Sequence, residues 1–237
     1  MPSLYIVATP IGNLEDITLR AIRILGEVDT ILCEDTRVTA KLLQKYQISK
    51  SLLSYHSHSK LAKVERVFEL LEEGKNLALV SDAGTPCISD PGVMLVAEIR
   101  DRMSRFRLDE PARRNLDIQI VTVPGPSAVI SALAGSGLPS SEFLFLGFLP
   151  HKKGRETLFK EIAASERTVA FYESPHRILK ALESLQKFAP EKKVVIAREL
   201  TKIYEEFVTG TATELLAHFD EHKDTVRGEF VVLVGKM

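Results

Sequence analysis

Short runs of β-branched and aliphatic residues alternate with longer stretches whose apolar positions recur at helical spacing, and this rhythm runs through the first half of the chain. Leu4 to Ala8 reads as a buried strand, followed by a turn at Thr9-Pro10-Ile11-Gly12-Asn13. Ile17 to Leu25 reads as a helix stopped by Gly26, and Thr30 to Cys33 as a second strand. Thr36 to Tyr46 is a helix that starts after Glu34 and Asp35, carboxylates that favour a helix N-terminus. Leu52 to Tyr55, Leu77 to Val80 and Ile118 to Val123 complete the strands, with a helix from Leu61 to Glu73 closed by Gly74. Strand, helix, strand in this order predicts βαβ crossovers and a mostly parallel sheet.

The pattern changes after Pro124-Gly125-Pro126, where two prolines interrupt both strand and helix. The boundary is expected there, giving an N-terminal lobe over 1–124 and a C-terminal lobe over 125–237. Phe143 to Leu149, Thr168 to Tyr172 and Val194 to Ala197 read as strands, with helices around Thr157 to Ala163 and Ile178 to Phe188. Glu205 to Val208 and Gly228 to Val234 are too close together for many crossovers, so a mixed sheet with antiparallel members is expected. One segment breaks the rhythm. From Arg100 to Arg114, six arginines stand against three acids around Pro111, which reads either as a solvated helix end and loop or as a basic arm that touches phosphate.

Composition narrows the classes. With 45% hydrophobic and 27% charged residues in 237, this is an ordinary globular chain. No apolar run approaches the ~18 residues of a membrane helix, and Met1-Pro2-Ser3 does not open a signal peptide. Two cysteines, Cys33 and Cys87, make neither a disulfide framework nor a zinc knuckle, so a reduced cytoplasmic protein is expected. Lysine plus arginine total 31 against 32 acids, evenly divided between the halves. Any contact with RNA therefore needs a local patch rather than the field of the whole molecule.

Ligands of parallel sheets bind beyond the carboxyl ends of the strands, and four loops there have unusual compositions. They are Thr9 to Asn13, Ser81 to Gly92, Pro124 to Ala128 and Tyr172 to Arg177. Their small residues and prolines leave backbone groups uncovered and closely approachable. No dinucleotide glycine fingerprint, P-loop or Gly-x-Ser-x-Gly elbow is present. Glu173, His176, Glu199 and Lys202 are candidate bases or orienters, and Arg177 and Arg198 can grip phosphate bidentately. Glu173 could instead cap the following helix, and Arg198 could simply pair with Glu199. His151-Lys152-Lys153-Gly154-Arg155 is a basic patch suited to RNA. The pairs His56/His58 and His218/His222 lack further ligands for zinc, Cys33 reads as core, and Cys87 has no base beside it.

Five motifs in order carry a resemblance: Val7 to Asp16, Ser81 to Pro86, Val123 to Ala128, Tyr172 to Arg177 and Ala197 to Lys202. Together they resemble the ribosomal RNA small subunit methyltransferase I family of the tetrapyrrole methylase superfamily, over almost the entire chain. The resemblance implies a two-lobed α/β fold with the cofactor in the cleft between lobes, and homodimers. It implies S-adenosylmethionine-dependent 2′-O-methylation of a cytidine in 16S ribosomal RNA. Catalytic roles would fall to Glu173, His176, Arg198, Glu199 and Lys202. The donor would be held by Pro10, Gly12, Asn13, Asp82, Ala83, Gly84, Thr85, Pro86, Ile88, Ser127, Ala128, Tyr172, Gly228, Glu229 and Phe230. RNA would meet Arg177, Lys152, Lys153 and Arg155. A tetrapyrrole or other small acceptor is the rival, against which the Tyr172 and Ala197 motifs stand. Many members of that family continue into a further C-terminal helical segment, whereas this sequence ends at Met237.

Overall fold

The computed structural model describes residues 1–55, 61–90, 92–109 and 117–236. It divides into two units, Met1–Ser127 and Ala128–Met237. The Pro124-Gly125-Pro126 stretch lies at the end of the first.

The first unit is built on five parallel strands, β1 (Ser3–Val7), β2 (Thr30–Cys33), β3 (Ser51–Ser54), β4 (Leu77–Leu79) and β5 (Gln119–Val123), in the order β3-β2-β4-β1-β5. Helices α1 (Leu19–Glu27), α2 (Thr36–Lys45), α3 (Leu61–Glu72) and α4 (Gly92–Asp109) make the crossovers. α1 and α2 pack Ile24, Leu25, Leu42 and Leu43 on one face of the sheet with Val7, Ile31 and Val80. α3 and α4 pack Phe68, Leu71, Leu95 and Ile99 on the other with Leu4, Leu32 and Leu77. Two covered faces explain why these strands read as unbroken apolar runs. The chain steps one way from β1 to β3 and back the other way through β4 to β5. The carboxyl ends of the neighbours β1 and β4 thus form the switch point of the sheet.

Local chemistry sets the helix starts. The Thr18 hydroxyl accepts from the Ala21 N–H at the head of α1, and the Asp35 carboxylate accepts from the Arg37 N–H at the head of α2. Asp90 Oδ1 accepts from both Gly92 and Cys87 N–H groups before α4. Gly26 does not stop α1: it lies inside the helix, which continues to Glu27 with Val28 bonded back to Ile24. A glycine on an exposed helical turn lowers helix stability but ends nothing when the following backbone can still bond.

The first part of the Arg100 segment is regular helix, α4 running to Asp109, in line with the helix-end reading. Arg102 is no free phosphate arm. It binds Glu65 of α3 with two nitrogens, binds Glu98 one turn back, and lies 4.0 Å over the Phe68 ring. Of the other expectations for this region, Arg113 and Arg114 lie outside the described residues, as do His56 and His58, and the side chains of Arg105 and Arg107 are not described.

The second unit has a mixed sheet, as its compressed spacing predicts. β6 (Phe143–Phe148) runs parallel to β7 (Thr168–Glu173), and β7, β10 (Phe230–Gly235), β8 (Lys193–Arg198) and β9 (Glu206–Gly210) pair antiparallel in the order β6-β7-β10-β8-β9. α5 (Ala128–Ser136), α6 (Arg155–Ala164), α7 (Ile178–Phe188) and α8 (Ala212–Glu221) accompany it. α5 was not anticipated: Ala128-Val129-Ile130 gives no amphipathic stripe to read. α8 opens with a capping box between Thr211 and Glu214. The core gathers Phe159, Phe171, Phe219, Phe230, Leu182 and Val232. Among the described residues no helix is long and apolar enough to cross a membrane.

Candidate functional site

Two sheet ends concentrate the predicted residues, one in each unit. At the end of the first sheet, loops from β1, β2, β4 and β5 are tied together by backbone and hydroxyl groups. Thr9 and Gly84 exchange N–H···O bonds of 2.9 and 3.0 Å, an isolated antiparallel bridge at the β1–β4 switch point. The Thr9 hydroxyl donates to Ser81 C=O at 3.1 Å, and the Ser81 hydroxyl donates to Gly84 C=O at 3.2 Å. The Thr85 hydroxyl reaches Pro126 C=O at 3.0 Å, joining the β4 and β5 loops, and Asp35 N–H donates to Asp82 Oδ1 at 3.0 Å, joining β2.

Two glycines permit this closeness. Gly84 sits at φ +84°, and a Cβ there would meet Ile11 Cγ2 at 3.3 Å; a Cβ at Gly125 would stand 3.0 Å from that of Ala8. Cys87 and Ser89 also hold positive φ, so the Ser81 to Asp90 loop keeps an unusual backbone by means of its bonds.

Pro10, Gly84 and Pro86 are buried, whereas Gly12, Asn13, Asp82, Ala83 and Ile88 are exposed, and Thr85 is half-buried. Asn13 starts a short 3-10 turn by accepting from Glu15 N–H. Ser127 closes the first unit and Ala128 opens α5 of the second, so those two predicted neighbours fall on either side of the division. Glu34, Asp35, Asp82 and Asp90 make this end acidic. Burial, then the charges of Asp82 and Asp90, push the Glu34 carboxyl up, while bonds from Arg37 hold Asp35 down at about 2. Cys87 is a thiol rather than a thiolate, pushed up to about 11 by burial and then by Asp90.

At the end of the second sheet, register places Glu173, Phe230, Arg198 and Glu206 in one row across β7, β10, β8 and β9. Glu173 is a buried hub with 0% side-chain exposure. Its Oε2 meets Arg155 at 3.0 Å, and its Oε1 meets Arg177 at 2.7 Å and accepts from Ser174 N–H at 2.9 Å. Arg155 also donates to Pro150 C=O, and Arg177 to Leu149 C=O and the Ser174 hydroxyl. Glu173 thus pins two loops and does not cap α7. Arg155 and Arg177 spend donors on this hub that the sequence reading assigned to RNA. Lys152, Lys153 and His176 are exposed.

The third cluster follows β8. Arg198 gives two nitrogens to Glu206 Oε2, at 3.1 and 3.0 Å, and does not pair with Glu199. Lys202 Nζ lies 2.8 Å from Glu199 Oε1 and 2.9 Å from Glu229 Oε2, and Glu199 Oε1 also accepts from Glu229 N–H. Burial raises the Glu199 carboxyl, but the bonds from Lys202 and Glu229 outweigh it and its pKa is lowered overall. Burial opposes charge on Lys202 too, and its two carboxylate partners reverse this and raise it. Both stay ionised at neutral pH. Glu199 (φ +50°) and Thr201 (φ +67°) are left-handed, and a Cβ at Gly228 would fall 2.4 Å from Glu199. Tyr172 stands beside Phe145 and Phe148, at 4.9 and 5.3 Å between ring centres.

Sequence reasoning overlooked Thr9, Ser81, Gly125 and Asp90. The first three stood inside the quoted motifs and Asp90 in the Ser81 to Gly92 loop, and Asx or hydroxyl chemistry was the available signal. Glu206 gave none, since its role exists only through β8–β9 pairing. His218 and His222 stack at 4.7 Å, and no metal-binding group of His, Cys, Asp or Glu occurs among the described residues.

Comparison with known proteins gives this arrangement its class. The profile of the tetrapyrrole (corrin/porphyrin) methylases matches residues 3–216. The methyltransferase CobJ superposes with a TM-score of 0.69 at 19% identity, covering 100% of this chain and 95% of that one. Uroporphyrin-III C-methyltransferase from Thermus thermophilus complexed with S-adenyl homocysteine gives 0.64 at 18%, covering 98% and 97%. At such identities the likeness concerns the fold, an α/β methylase architecture.

Sequence relatives are nearer. "Ribosomal RNA small subunit methyltransferase I" of Thermotoga maritima is 46% identical over 100% of both chains, and that of Escherichia coli O157:H7 is 46% identical over 98% of this chain and 77% of its own. The chain belongs to the ribosomal RNA small subunit methyltransferase I family of the tetrapyrrole methylases.

Proposed function

We propose that this protein transfers a methyl group from S-adenosylmethionine to the ribose 2′-hydroxyl of a cytidine in 16S ribosomal RNA. In this reading it works in the cytoplasm as a homodimer, on the RNA or the small ribosomal subunit. The observation that carries the reading is identity of 41–46% over 98–100% of this chain to relatives that share one name.

The first sheet end suits the donor. Its sulfonium and amine are cationic, and Asp82 with uncovered loop carbonyls offers negative charge, while loop N–H groups suit its carboxylate. Gly84 and Gly125 keep the loop backbones too close for side chains there. When bound, the donor supplies an electrophilic methyl on a sulfonium whose charge is lost on transfer. Asp82 and Thr85 would orient it, together with the Pro10 to Asn13 loop.

The second sheet end, taken by itself, carries groups suited to an RNA acceptor. Both oxygens of Glu173 are engaged by arginines, and Glu199 and Lys202 are held as an ion pair. Glu173 is also buried, and Glu199 is bound through Oε1 by Lys202 and Glu229 N–H, which lowers its pKa and weakens it as a base. His176 differs: it is exposed at the turn before α7, and no bond ties its ring among the described residues. Imidazole is the commonest side chain for such a proton transfer. His176 therefore takes the 2′-hydroxyl proton, and Lys152 and Lys153 meet the RNA backbone. Replacing His176 by Ala lowers kcat about 100-fold or more with little change in donor affinity. A kcat within twofold of the original eliminates this role.

The test of the whole reading is methyl transfer from labelled donor to unmodified small subunits and to naked 16S RNA. Alkali cleaves RNA through the free 2′-hydroxyl, so a 2′-O-methyl leaves one labelled, alkali-stable dinucleotide containing cytidine. Label in a base, or none in either RNA, overturns it.

A further inference from the structure

The turn between β8 and β9 carries an exposed pair that the clusters above leave unused. Ile203 is 94% exposed and Tyr204 62%. Single exposed apolar residues are ordinary, but here an aliphatic and an aromatic side chain are adjacent at the tip of a braced loop. Glu199 and Thr201 hold left-handed backbone. Lys202 N–H bonds back to Glu199 C=O, Glu205 N–H to Lys202 C=O, and Thr201 N–H to the Glu205 carboxylate. The conformation is fixed although the side chains at its tip are bare.

The surroundings carry charges of both signs. The Arg227 guanidinium lies 5.8 Å from the Tyr204 ring centre, and among the described residues no carboxylate pairs with it. Lys202 precedes Ile203. Glu206 and Glu229 are paired with Arg198 and Lys202, while Glu205 keeps its negative charge and accepts from Thr201 N–H. An aromatic face beside an unpaired guanidinium is a combination that holds an unstacked base and its phosphate.

We infer that Tyr204, flanked by Ile203 and Arg227, is a stacking platform for an unpaired nucleobase of the RNA substrate. The inference rests on the RNA-methylating reading and adds a recognition site to it. A base must leave its stack before its ribose can be presented to an enzyme, and a preformed aromatic face lowers the cost of unstacking.

Steady-state kinetics on unmodified small subunits test this directly. Tyr204→Ala raises KM for the subunit about tenfold, leaves donor affinity unchanged, and Tyr204→Phe restores most of the loss. The chain contains no tryptophan, so Tyr204→Trp installs a single reporter whose emission is quenched by a cytidine-containing single-stranded oligoribonucleotide. An unchanged KM for Tyr204→Ala overturns the inference. So does a shift in the sedimentation of Tyr204→Ala towards a smaller species, which assigns the turn to contact between copies. If the unsubstituted enzyme methylates no RNA, the wider reading has failed, and the emission of Tyr204→Trp alone decides whether the platform binds bases.

Discussion

The two sheet ends solve the same problem, holding several loops in one geometry, with opposite chemistry. In the first unit the ties among β1, β4 and β5 are neutral. Thr9, Ser81 and Thr85 hydroxyls and the Thr9–Gly84 backbone bridge join strands β1, β4 and β5. In the second unit the ties are ionic: Glu173 with Arg155 and Arg177, Arg198 with Glu206, Lys202 with Glu199 and Glu229. Neutral backbone ties allow close packing and leave N–H and C=O groups for a small ligand of mixed charge. Ion pairs lock longer side chains, and in the RNA-methylating reading they keep cations in place for the substrate. The contrast suggests why one motif set is rich in glycine and proline and the other in charge.

The comparison predicts the largest loss at Glu173. Glu173→Ala strands two guanidiniums, each mostly buried, and costs about 3 kcal/mol of unfolding free energy by denaturant titration. A loss below about 0.5 kcal/mol would mean that the ionic ties are ornamental, and the contrast between the two ends would fail. A smaller effect is expected at the neutral end. Gly84→Ala places a side chain at φ +84° against Ile11 and costs about 1–2 kcal/mol. Calorimetry should also show weakened binding of S-adenosylmethionine; full affinity would separate the bridge from the donor site.

The smallest effect is pH-dependent and probes the third ionic cluster. The folded Glu199 carboxyl is lowered, so its stabilising contribution is present above the unfolded carboxylate value of about 4.3 and disappears as pH falls through the folded value. Glu199→Gln should therefore cost about 1 kcal/mol at pH 7 and progressively less as the pH falls below the unfolded carboxylate value. Unfolding curves of both proteins across that range check it, and a gap that stays constant with pH would show that the contribution is not ionic.

Much of this architecture was readable from residue order. Period and β-branching located the strands, Asp35 announced its own helix, and crowded spacing near the C-terminus implied antiparallel pairing. These are local properties: a strand must hide both faces or one, and a cap acts within a few residues. Motif composition also singled out the loops at both sheet ends, since only small or rigid residues fit where backbones nearly touch.

Tertiary structure decided the partners. Glu173 and Arg177 lie four residues apart, yet only folding shows that Arg155, brought up from the head of α6, completes the hub and withdraws both arginines from solvent. Arg198 faces Glu206 because β8 and β9 are in register, not because Glu199 follows it. Gly26 stayed helical, and Arg102 became a brace between α3 and α4, because neighbouring elements offered bonds and packing that a residue's own propensity does not encode. A side chain's type limits what it can bind, but the field and the vacancies around it are set by residues far away in sequence. That is why charge was legible and its use was not.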